Sequence, residues 1–218
     1  INIDRILLKP FVEGINFLLN NKNYKNFTAI TLNENIVNIS LFKNRSYVYT
    51  QDFRFGTDLI IKDISKLCSL QISEVEFFLQ EVNLKSVLEN DESACVDKKF
   101  FFNSPYRKIK YKLVLDIIIA RTDELIDICF VKNSNLDYFR KTNNMIYINV
   151  EKNKYFKNIK FALEKNILID PEFVFDKKIE EFSLFSLNGA AVLIGKGWEK
   201  EAIPVVQSKK SIISAFFS

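Results

Sequence analysis

Apolar positions near the start of the chain predict three consecutive strands. Three runs rich in β-branched and aromatic residues follow one another at 28–32, 36–43 and 47–52. Short polar turns at 33–35 and 43–46 separate them, a spacing typical of antiparallel hairpins. We therefore expect these runs to form the centre of a sheet.

Helical spacing of apolar residues replaces this pattern on either side of the strands. A short apolar helix is predicted over 11–19, after a strand-like run at 2–8. Beyond the strands, two helical faces are formed by Leu59, Ile60, Ile64, Leu67 and Leu70, and by Val75, Phe78, Leu79 and Val82. Ser73 precedes the second face and Glu76 follows three residues later, which is the pattern of a capping box.

The clearest helical pattern covers 108–132, where apolar residues recur at three- and four-residue steps. The stretch 85–105 before it is predicted to be an irregular excursion or a short hairpin. Four further elements are then predicted: a buried strand at 145–150, a helix at 155–166, a short strand at 172–175 and a helix at 179–194. Strands followed by helices in this order predict an α/β fold.

Composition narrows the possible functions. The chain has 218 residues, is 48% hydrophobic and contains only 5 Gly and 4 Pro, which predicts an ordered globular chain. Histidine is absent, so imidazole catalysis and histidine metal sites are excluded. Widely spaced Cys68, Cys95 and Cys129 favour thiols in a reducing, cytoplasmic compartment. The net charge of +4 is dispersed, which argues against nucleic-acid binding.

Four segments carry motifs that recur in this order in one known family. The segment 55–64, FGTDLIIKDI, is similar to a glycine turn followed by a Thr-x-Asp-Ile helix, and 74–79, EVEFFL, is similar to a Glu-Ala-Glu-x-x-Lys helix. The segment 116–125, DIIIARTDEL, is the most specific match, to Ile-Ile-x-Ala-Arg-x-x-Glu. With the opening 5–17, these segments resemble the C-terminal half of the FtsA family of bacterial cell-division proteins, in the actin-like/Hsp70-type ATPase superfamily.

The resemblance implies an actin-like (ribonuclease H-like) half of the α/β class, with a mixed sheet and flanking helices. It divides the chain into three parts. Residues 1–26 would end a preceding subdomain, and 27–197 would form the second actin-like lobe, with a helical insertion at about 63–140. Residues 198–218 would form a linker and the start of a membrane-targeting helix.

The nucleotide motifs of this family are altered here. The phosphate hairpin, Asp-x-Gly-Gly-Gly-x-Thr in the family, corresponds to TLNENIV at 31–37, and the adenosine turn Thr-Gly-Gly-Gly corresponds to 149–152. The family lysine falls at Leu79. Glycine lets backbone N–H groups approach phosphate, whereas Glu34 opposes its charge. We therefore expect weak or lost binding of ATP and Mg²⁺ at a degenerate nucleotide site formed by Asn33, Glu34, Asn35, Gly56, Asp63 and Glu76.

Two of these residues have alternative interpretations. Gly56 is either an ordinary turn glycine or part of a residual anion contact at the following helix N-terminus. Asp63 is either a remnant nucleotide or metal contact or a solvated helix acid. No catalytic residue and no protein metal site are predicted.

Basic residues mark candidate interaction surfaces. Arg107, Lys108, Lys110 and Lys112 cluster at the start of the long predicted helix, where positive charge opposes the helix dipole. The cluster is either a solvated face or, as the resemblance implies, a contact with the C-terminal tail of FtsZ, to which Arg121 would contribute. Arg121 is also three residues from Glu124, as in a helical ion pair. The resemblance places membrane contacts at Lys209, Lys210, Ile212, Ile213, Phe216 and Phe217.

Three functional hypotheses follow. The leading one is a cell-division adaptor of the septal divisome that self-assembles like actin, binds FtsZ and is peripheral to the inner face of the cytoplasmic membrane. The second is a working actin-like ATPase, in which the backbone N–H groups of 33–35 and 149–152 would serve the nucleotide. The third is an actin relative of the pilus-assembly or shape-determining type.

Overall fold

A computed structural model describes residues 7–137, 145–151, 155–165, 176–182 and 185–196. The elements up to residue 90 are α1 (Lys9–Asn20), β1 (Phe27–Leu32), β2 (Val37–Lys43), β3 (Ser46–Phe53), α2 (Asp58–Cys68), α3 (Ile72–Glu81) and α4 (Leu84–Asn90). The later elements are α5 (Tyr111–Ile126), β4 (Met145–Glu151), α6 (Phe156–Lys165), β5 (Asp176–Phe182) and α7 (Phe185–Lys196). No helix of this described part is long and apolar enough to cross a bilayer.

The strands form one mixed five-stranded sheet in the order β3-β2-β1-β4-β5. The first three strands are antiparallel, as the hairpin pattern predicts, whereas β4 is parallel to both β1 and β5. Every residue of β1 is buried, because this strand has a neighbour on each side and a core on each face. The predicted α/β class with a mixed sheet is confirmed.

A large core of aliphatic and aromatic side chains fills one face of the sheet. Ile30 of β1 and Ile148 of β4 belong to the same buried cluster as Ile64 of α2, Phe78 of α3 and Ile118 of α5. These helices supply most of the apolar positions that the helical spacing predicts, but Leu67 of the predicted α2 face is 65% exposed and lies outside this core. Burying side chains of this size contributes roughly 1.5–3 kcal/mol each, so this core fixes α2 and α3 against the sheet.

A second, aromatic core lies on the opposite face, under α1. Phe17 packs on Phe27 with ring centroids 4.6 Å apart, and Phe27 stacks on Phe42 at 4.4 Å. Helix α7 completes this layer through a close backbone approach, since a Cβ atom at Gly189 would lie 2.5 Å from the carbonyl oxygen of Val12. The small residues of α7 therefore allow two helices to share the narrow space over the sheet.

A polar row crosses the sheet on the α1 side. Thr31 is in register with Asn38 on β2 and Asn149 on β4, and Asn38 is in register with Asp52 on β3. The Thr31 hydroxyl donates to the Glu13 carboxylate at 3.0 Å, and the Asn38 amide donates to Asp52 at 2.6 Å. Since β1 ends one residue after Thr31, the row marks the sheet edge that carries the β1–β2 hairpin.

Four sequence predictions are corrected by the structure. The helix predicted from 179 begins at Phe185, because residues up to 182 pair with β4 as strand β5, beyond the strand predicted at 172–175. Helix α3 is preceded by Gln71, so Ser73 lies inside the helix and Glu74 takes the capping role. The stretch 85–105 contains most of helix α4 in place of a hairpin, and after Asn90 it is irregular apart from the 3₁₀ turn Lys98–Phe100, as the other alternative predicted. The long helix begins at Tyr111 and ends in a π-helical turn, Asp127–Val131. Most of the predicted strand at 2–8, and all of the predicted strand at 172–175, lie outside the described residues.

Candidate functional site

A cleft opens at the sheet edge beside the β1–β2 hairpin. It has a volume of about 530 Å³. The hairpin, the first turns of α2 and α3 and the residue before α6 contribute its walls, which consist of Glu34, Asn35, Thr57, Asp58, Ile61, Lys62, Ile72, Glu76 and Tyr155. Three of the predicted site residues, Glu34, Asn35 and Glu76, therefore meet at one place.

The hairpin and the start of α2 are joined by backbone hydrogen bonds. The N–H of Thr57 donates to the carbonyl oxygen of Asn33 at 3.0 Å, and the N–H of Asp58 donates to that of Glu34 at 2.9 Å. Free N–H groups at a helix N-terminus are the groups that commonly bind anions. Here two of them are occupied by the chain's own carbonyl groups, so they are closed to a phosphate.

Gly56 makes this contact possible. A Cβ atom at this position would lie 2.6 Å from the carbonyl carbon of Glu34, and it would overlap the carbonyl oxygens of Asn33 and Glu34. Side chains never approach backbone atoms this closely, so the absence of a Cβ is a steric requirement. Gly56 therefore allows the β1–β2 hairpin and the start of α2 to approach each other closely.

The charge of the cleft is predominantly acidic. Among the described residues that line the cleft, Lys62 is the only cation, and its Nζ atom lies 2.6 Å from a carboxylate oxygen of Asp58. Glu34 and Glu76 face Tyr155, whose hydroxyl hydrogen-bonds to Glu76. Burial raises the pKa of Tyr155 to about 12, and the two carboxylates add to the rise. This cleft is therefore a poor environment for a further negative charge.

The groups at this edge do not fit Mg-ATP, which the family resemblance implies. By the resemblance, Glu34 corresponds to a phosphate-binding glycine, and the N–H of Asn33 donates to the carbonyl oxygen of Ile36 across the hairpin at 3.0 Å. The described residues also contain no group of three or more His, Cys, Asp or Glu placed to hold a metal. The loss of nucleotide affinity stays a prediction, and these contacts give it a physical basis.

Asp63, the remaining member of the predicted nucleotide site, lies away from the cleft. Its carboxylate accepts a hydrogen bond from Arg121 of α5 at 2.5 Å, and Arg121 also pairs with Glu124 at 2.7 Å. The hydrogen bond to Asp63 raises the pKa of Arg121. The ion pair between Arg121 and Glu124 predicted from spacing is confirmed, and Arg121 in addition ties α5 to α2.

We expect Arg121→Met to lower the free energy of unfolding by about 1 kcal/mol, because Asp63 would stay partly buried without its cation. Urea denaturation measures this change. The control is Glu124→Gln, which removes an exposed pair and is expected to cost less than about 0.5 kcal/mol. Equal losses in the two variants would contradict the assignment of Asp63 as the principal partner of Arg121.

The predicted basic residues lie in a loop that precedes α5. Arg107, Lys108 and Lys110 are exposed, and none of them forms an ion pair with the described residues. Lys112 differs from them because it pairs with Asp116 at 3.5 Å within the helix. Since α5 begins only at Tyr111, the first three cations stand outside the helix.

Glu74 of α3 anchors the same loop from below. Its buried carboxylate accepts hydrogen bonds from the N–H groups of Asn103 at 2.7 Å, Ser104 at 2.8 Å and Gln71 at 2.9 Å, and from the Ser104 hydroxyl. Burial alone would raise the pKa of Glu74, but these donors outweigh it and lower the pKa to about 2. The carboxylate is therefore charged whenever the protein is folded near neutral pH.

Sequence patterns could not identify all of these residues. Tyr155, which follows three residues outside the described part, belongs to no sequence motif. Glu74 has the same sequence context as the exposed acids of other helices. The Asp58–Lys62 pair, in contrast, has the i,i+4 spacing of a helical ion pair and was open to prediction. The predicted membrane residues Lys209, Lys210, Ile212, Ile213, Phe216 and Phe217 lie outside the described residues.

Comparisons with known proteins show the fold. No protein-family model and no curated protein matches the sequence. The structure is similar to a Bacillus thuringiensis ParM hybrid protein with ADP, at a TM-score of 0.51 and 13% identity over 86% of this chain and 28% of that chain. The structure is also similar to the ethanolamine utilization protein EutJ from Carboxydothermus hydrogenoformans, at a TM-score of 0.49 and 8% identity over 85% of this chain and 54% of that chain. A chain of a PilM–PilN type IV pilus biogenesis complex has a TM-score of 0.42 and 8% identity, over 85% and 44%.

The chain thus spans between 28% and 54% of the length of these structures. Their identities are too low to show more than the fold. The likeness to ParM reaches a TM-score of 0.51, and this chain has a mixed sheet in the order β3-β2-β1-β4-β5 with helices on both faces. The chain therefore has the actin-like ATPase fold.

Proposed function

We propose that this chain is the assembly lobe of a cell-division adaptor that binds the C-terminal tail of FtsZ and does not depend on ATP. The observation that carries the proposal is the loop before α5, where Arg107, Lys108 and Lys110 are exposed beside buried apolar residues. Cations held in an ordered loop suit an acidic peptide, because such peptides are recognised by clustered Lys and Arg.

The proposal includes self-association and attachment to a membrane surface. This chain shares the actin-like fold with ParM, and the proposed self-association places a second copy of this chain next to it in a polymer. The segment with Lys209, Lys210, Ile212, Ile213, Phe216 and Phe217 combines two cations with apolar residues. Such a combination favours a peripheral contact with anionic lipids on the cytoplasmic face, although a short segment binds weakly by itself.

The cleft supports an adaptor over an ATPase. An ATPase would require the N–H groups of the hairpin to face a phosphate, but that of Asn33 is bonded within the hairpin. The carbonyl oxygens of Asn33 and Glu34 meanwhile close the start of α2. Retaining the fold while filling the phosphate position with the chain's own atoms is expected of a lobe used for assembly and binding.

The test is fluorescence anisotropy with a labelled FtsZ C-terminal tail peptide. We expect saturable binding, and we expect the triple variant Arg107→Glu, Lys108→Glu, Lys110→Glu to weaken it at least about tenfold, since exposed ion pairs contribute up to about 1 kcal/mol each. A matched control reverses the charge of the exposed Lys22, Lys66 and Lys85, which lie in other parts of the chain. Equal affinities of both triple variants, or no binding by a folded chain, would overturn the proposal.

A further inference from the structure

The basic loop also presents aromatic rings. The loop spans 97–108, and its neck is closed by backbone hydrogen bonds from Val96 to Ile109 at 2.8 Å and from Tyr111 to Ala94 at 3.0 Å. Compact loops with closed necks and internally packed side chains are frequently functional. This loop is one of them, and its sequence, DKKFFFNSPYRK, holds four aromatic residues.

Two ring pairs reach the surface. Phe102 is 54% exposed and packs at 6.2 Å against Phe77 of α3, which is 43% exposed. Tyr106, also 43% exposed, packs against Phe101 at 5.1 Å. Three large rings on one loop and one adjoining helix thus have about half of their surface in water, and exposed apolar surface of this kind commonly marks binding sites.

Positive charge surrounds these rings. The Lys98 ammonium group lies 5.3 Å from the ring centroid of Tyr106, and that of Lys99 lies 4.9 Å from the centroid of Phe100. Arg107 and Lys108 follow Tyr106 directly, and Asp97 is the one acid of the loop. A partner that covers the rings therefore meets four cations, and charge complementarity requires it to be acidic.

The patch is held in shape before any partner arrives. Glu74 fixes Asn103 and Ser104, which lie between Phe102 and Tyr106 in the chain, through three hydrogen bonds, two from their backbone N–H groups and one from the Ser104 hydroxyl. Ordering a loop on binding costs affinity, and a preformed loop avoids that cost. The anchor therefore favours binding by a rigid surface.

We propose that Phe77 and the 97–108 loop form a docking platform for an acidic protein segment that carries large apolar side chains. An apolar side chain of the segment packs on Phe77 and Phe102, while its carboxylates pair with Lys98, Arg107 and Lys108. The inference rests on the proposed function, because Arg107 and Lys108 belong to both binding surfaces. It adds that recognition is apolar as well as ionic, so charge alone does not select the partner.

The packing of the rings favours a protein segment over a lipid surface. Each exposed ring packs against a neighbouring ring, Phe102 against Phe77 and Tyr106 against Phe101. The Lys98 ammonium group lies over the ring of Tyr106. Rings that anchor a protein in a bilayer commonly lie on the apolar face of an amphipathic helix that is buried in the interface. Rings that pack side by side and stay half buried instead form the floor of a contact with another side chain.

The test compares ring variants with charge variants in the same anisotropy assay. The probes are the labelled FtsZ tail peptide, the same peptide with its large apolar residues replaced by serine, and vesicles of phosphatidylcholine with 30% phosphatidylserine (about a third anionic lipid). We expect Phe77→Ala and Phe102→Ala each to weaken binding of the native peptide about tenfold, one buried ring contact being worth about 1.4 kcal/mol or more. The serine peptide should bind equally weakly to all of these proteins.

Controls keep the outcomes distinct. Leu67→Ala removes an exposed apolar side chain on α2 and is expected to leave affinity unchanged, and circular dichroism melting shows that each variant is folded. Unchanged affinity in both ring variants, with loss in the charge-reversal variant, would overturn this inference and leave the proposed function standing. Vesicle binding that depends on Phe77 and Phe102, without peptide binding, would overturn both in favour of a lipid surface.

Discussion

Replacing Glu74 by glutamine is expected to lower the free energy of unfolding by about 3 kcal/mol, the cost of leaving buried donors unsatisfied. Glutamine keeps the shape of the side chain but presents an NH₂ group to N–H donors. At least one of the N–H groups of Gln71, Asn103 and Ser104 would then lose its acceptor. Urea denaturation at neutral pH measures the loss.

The pH dependence of stability provides an independent readout of the same carboxylate. The pKa of Glu74 is lowered to about 2 in the folded protein, below the value of about 4.3 for an unfolded chain. Its stabilisation is therefore fully present above about pH 5 and is lost as the pH falls towards about 2. We expect the variant to lose part of this acid sensitivity. The control is Glu81→Gln, an exposed position on the same helix, which should change neither measurement; an equal loss there would contradict the anchoring role.

We expect Gly56→Ala to destabilise the protein more than any other single methyl group added at the cleft. The new Cβ would overlap the carbonyl groups of Asn33 and Glu34, so the hairpin or the start of α2 must move. Movement breaks the hydrogen bonds from Thr57 and Asp58, and we expect a loss of about 3 kcal/mol from the two effects together. Thermal and urea denaturation measure it.

Gly195→Ala is the matched control for this substitution. Nothing lies within 4 Å of a Cβ at Gly195, which stands in helix α7. Alanine is the better helix former by roughly 1 kcal/mol, so this variant should be unchanged or slightly more stable. If Gly56→Ala were equally well tolerated, the close backbone contact would not be a requirement of the fold.

The regular pattern of the chain was sufficient to predict most of the sheet. The hairpin strands and the helices that carry Ile64 and Ile118 follow from hydrophobic spacing, because one period dominates each segment. The start of α7 was misjudged because residues 179–182 satisfy a helical spacing as well as a strand. Their pairing with β4 is a long-range contact, and local pattern carries no information about it.

The candidate sites were predictable only in part, for a similar reason. The family motifs predicted a site that contains Glu34, Glu76 and Asp63. Glu34 and Glu76 do line one cleft, but Asp63 pairs with Arg121 instead. The role of Glu74 depends on two N–H groups about thirty residues later in the chain. A loop conformation of this kind has no periodicity from which it could be inferred.

The contact between the β1–β2 hairpin and α2 has a consequence for how an assembly of such lobes would turn over. A nucleotide that differs in affinity between two conformations acts as a timer, because its hydrolysis shifts the population of the subunit. Under the proposed function, a lobe closed by its own carbonyl groups of Asn33 and Glu34 would have no such timer at this edge. The age of a subunit in the proposed polymer would then leave no chemical trace, and growth and shrinkage would follow the supply of subunits and of their partner alone.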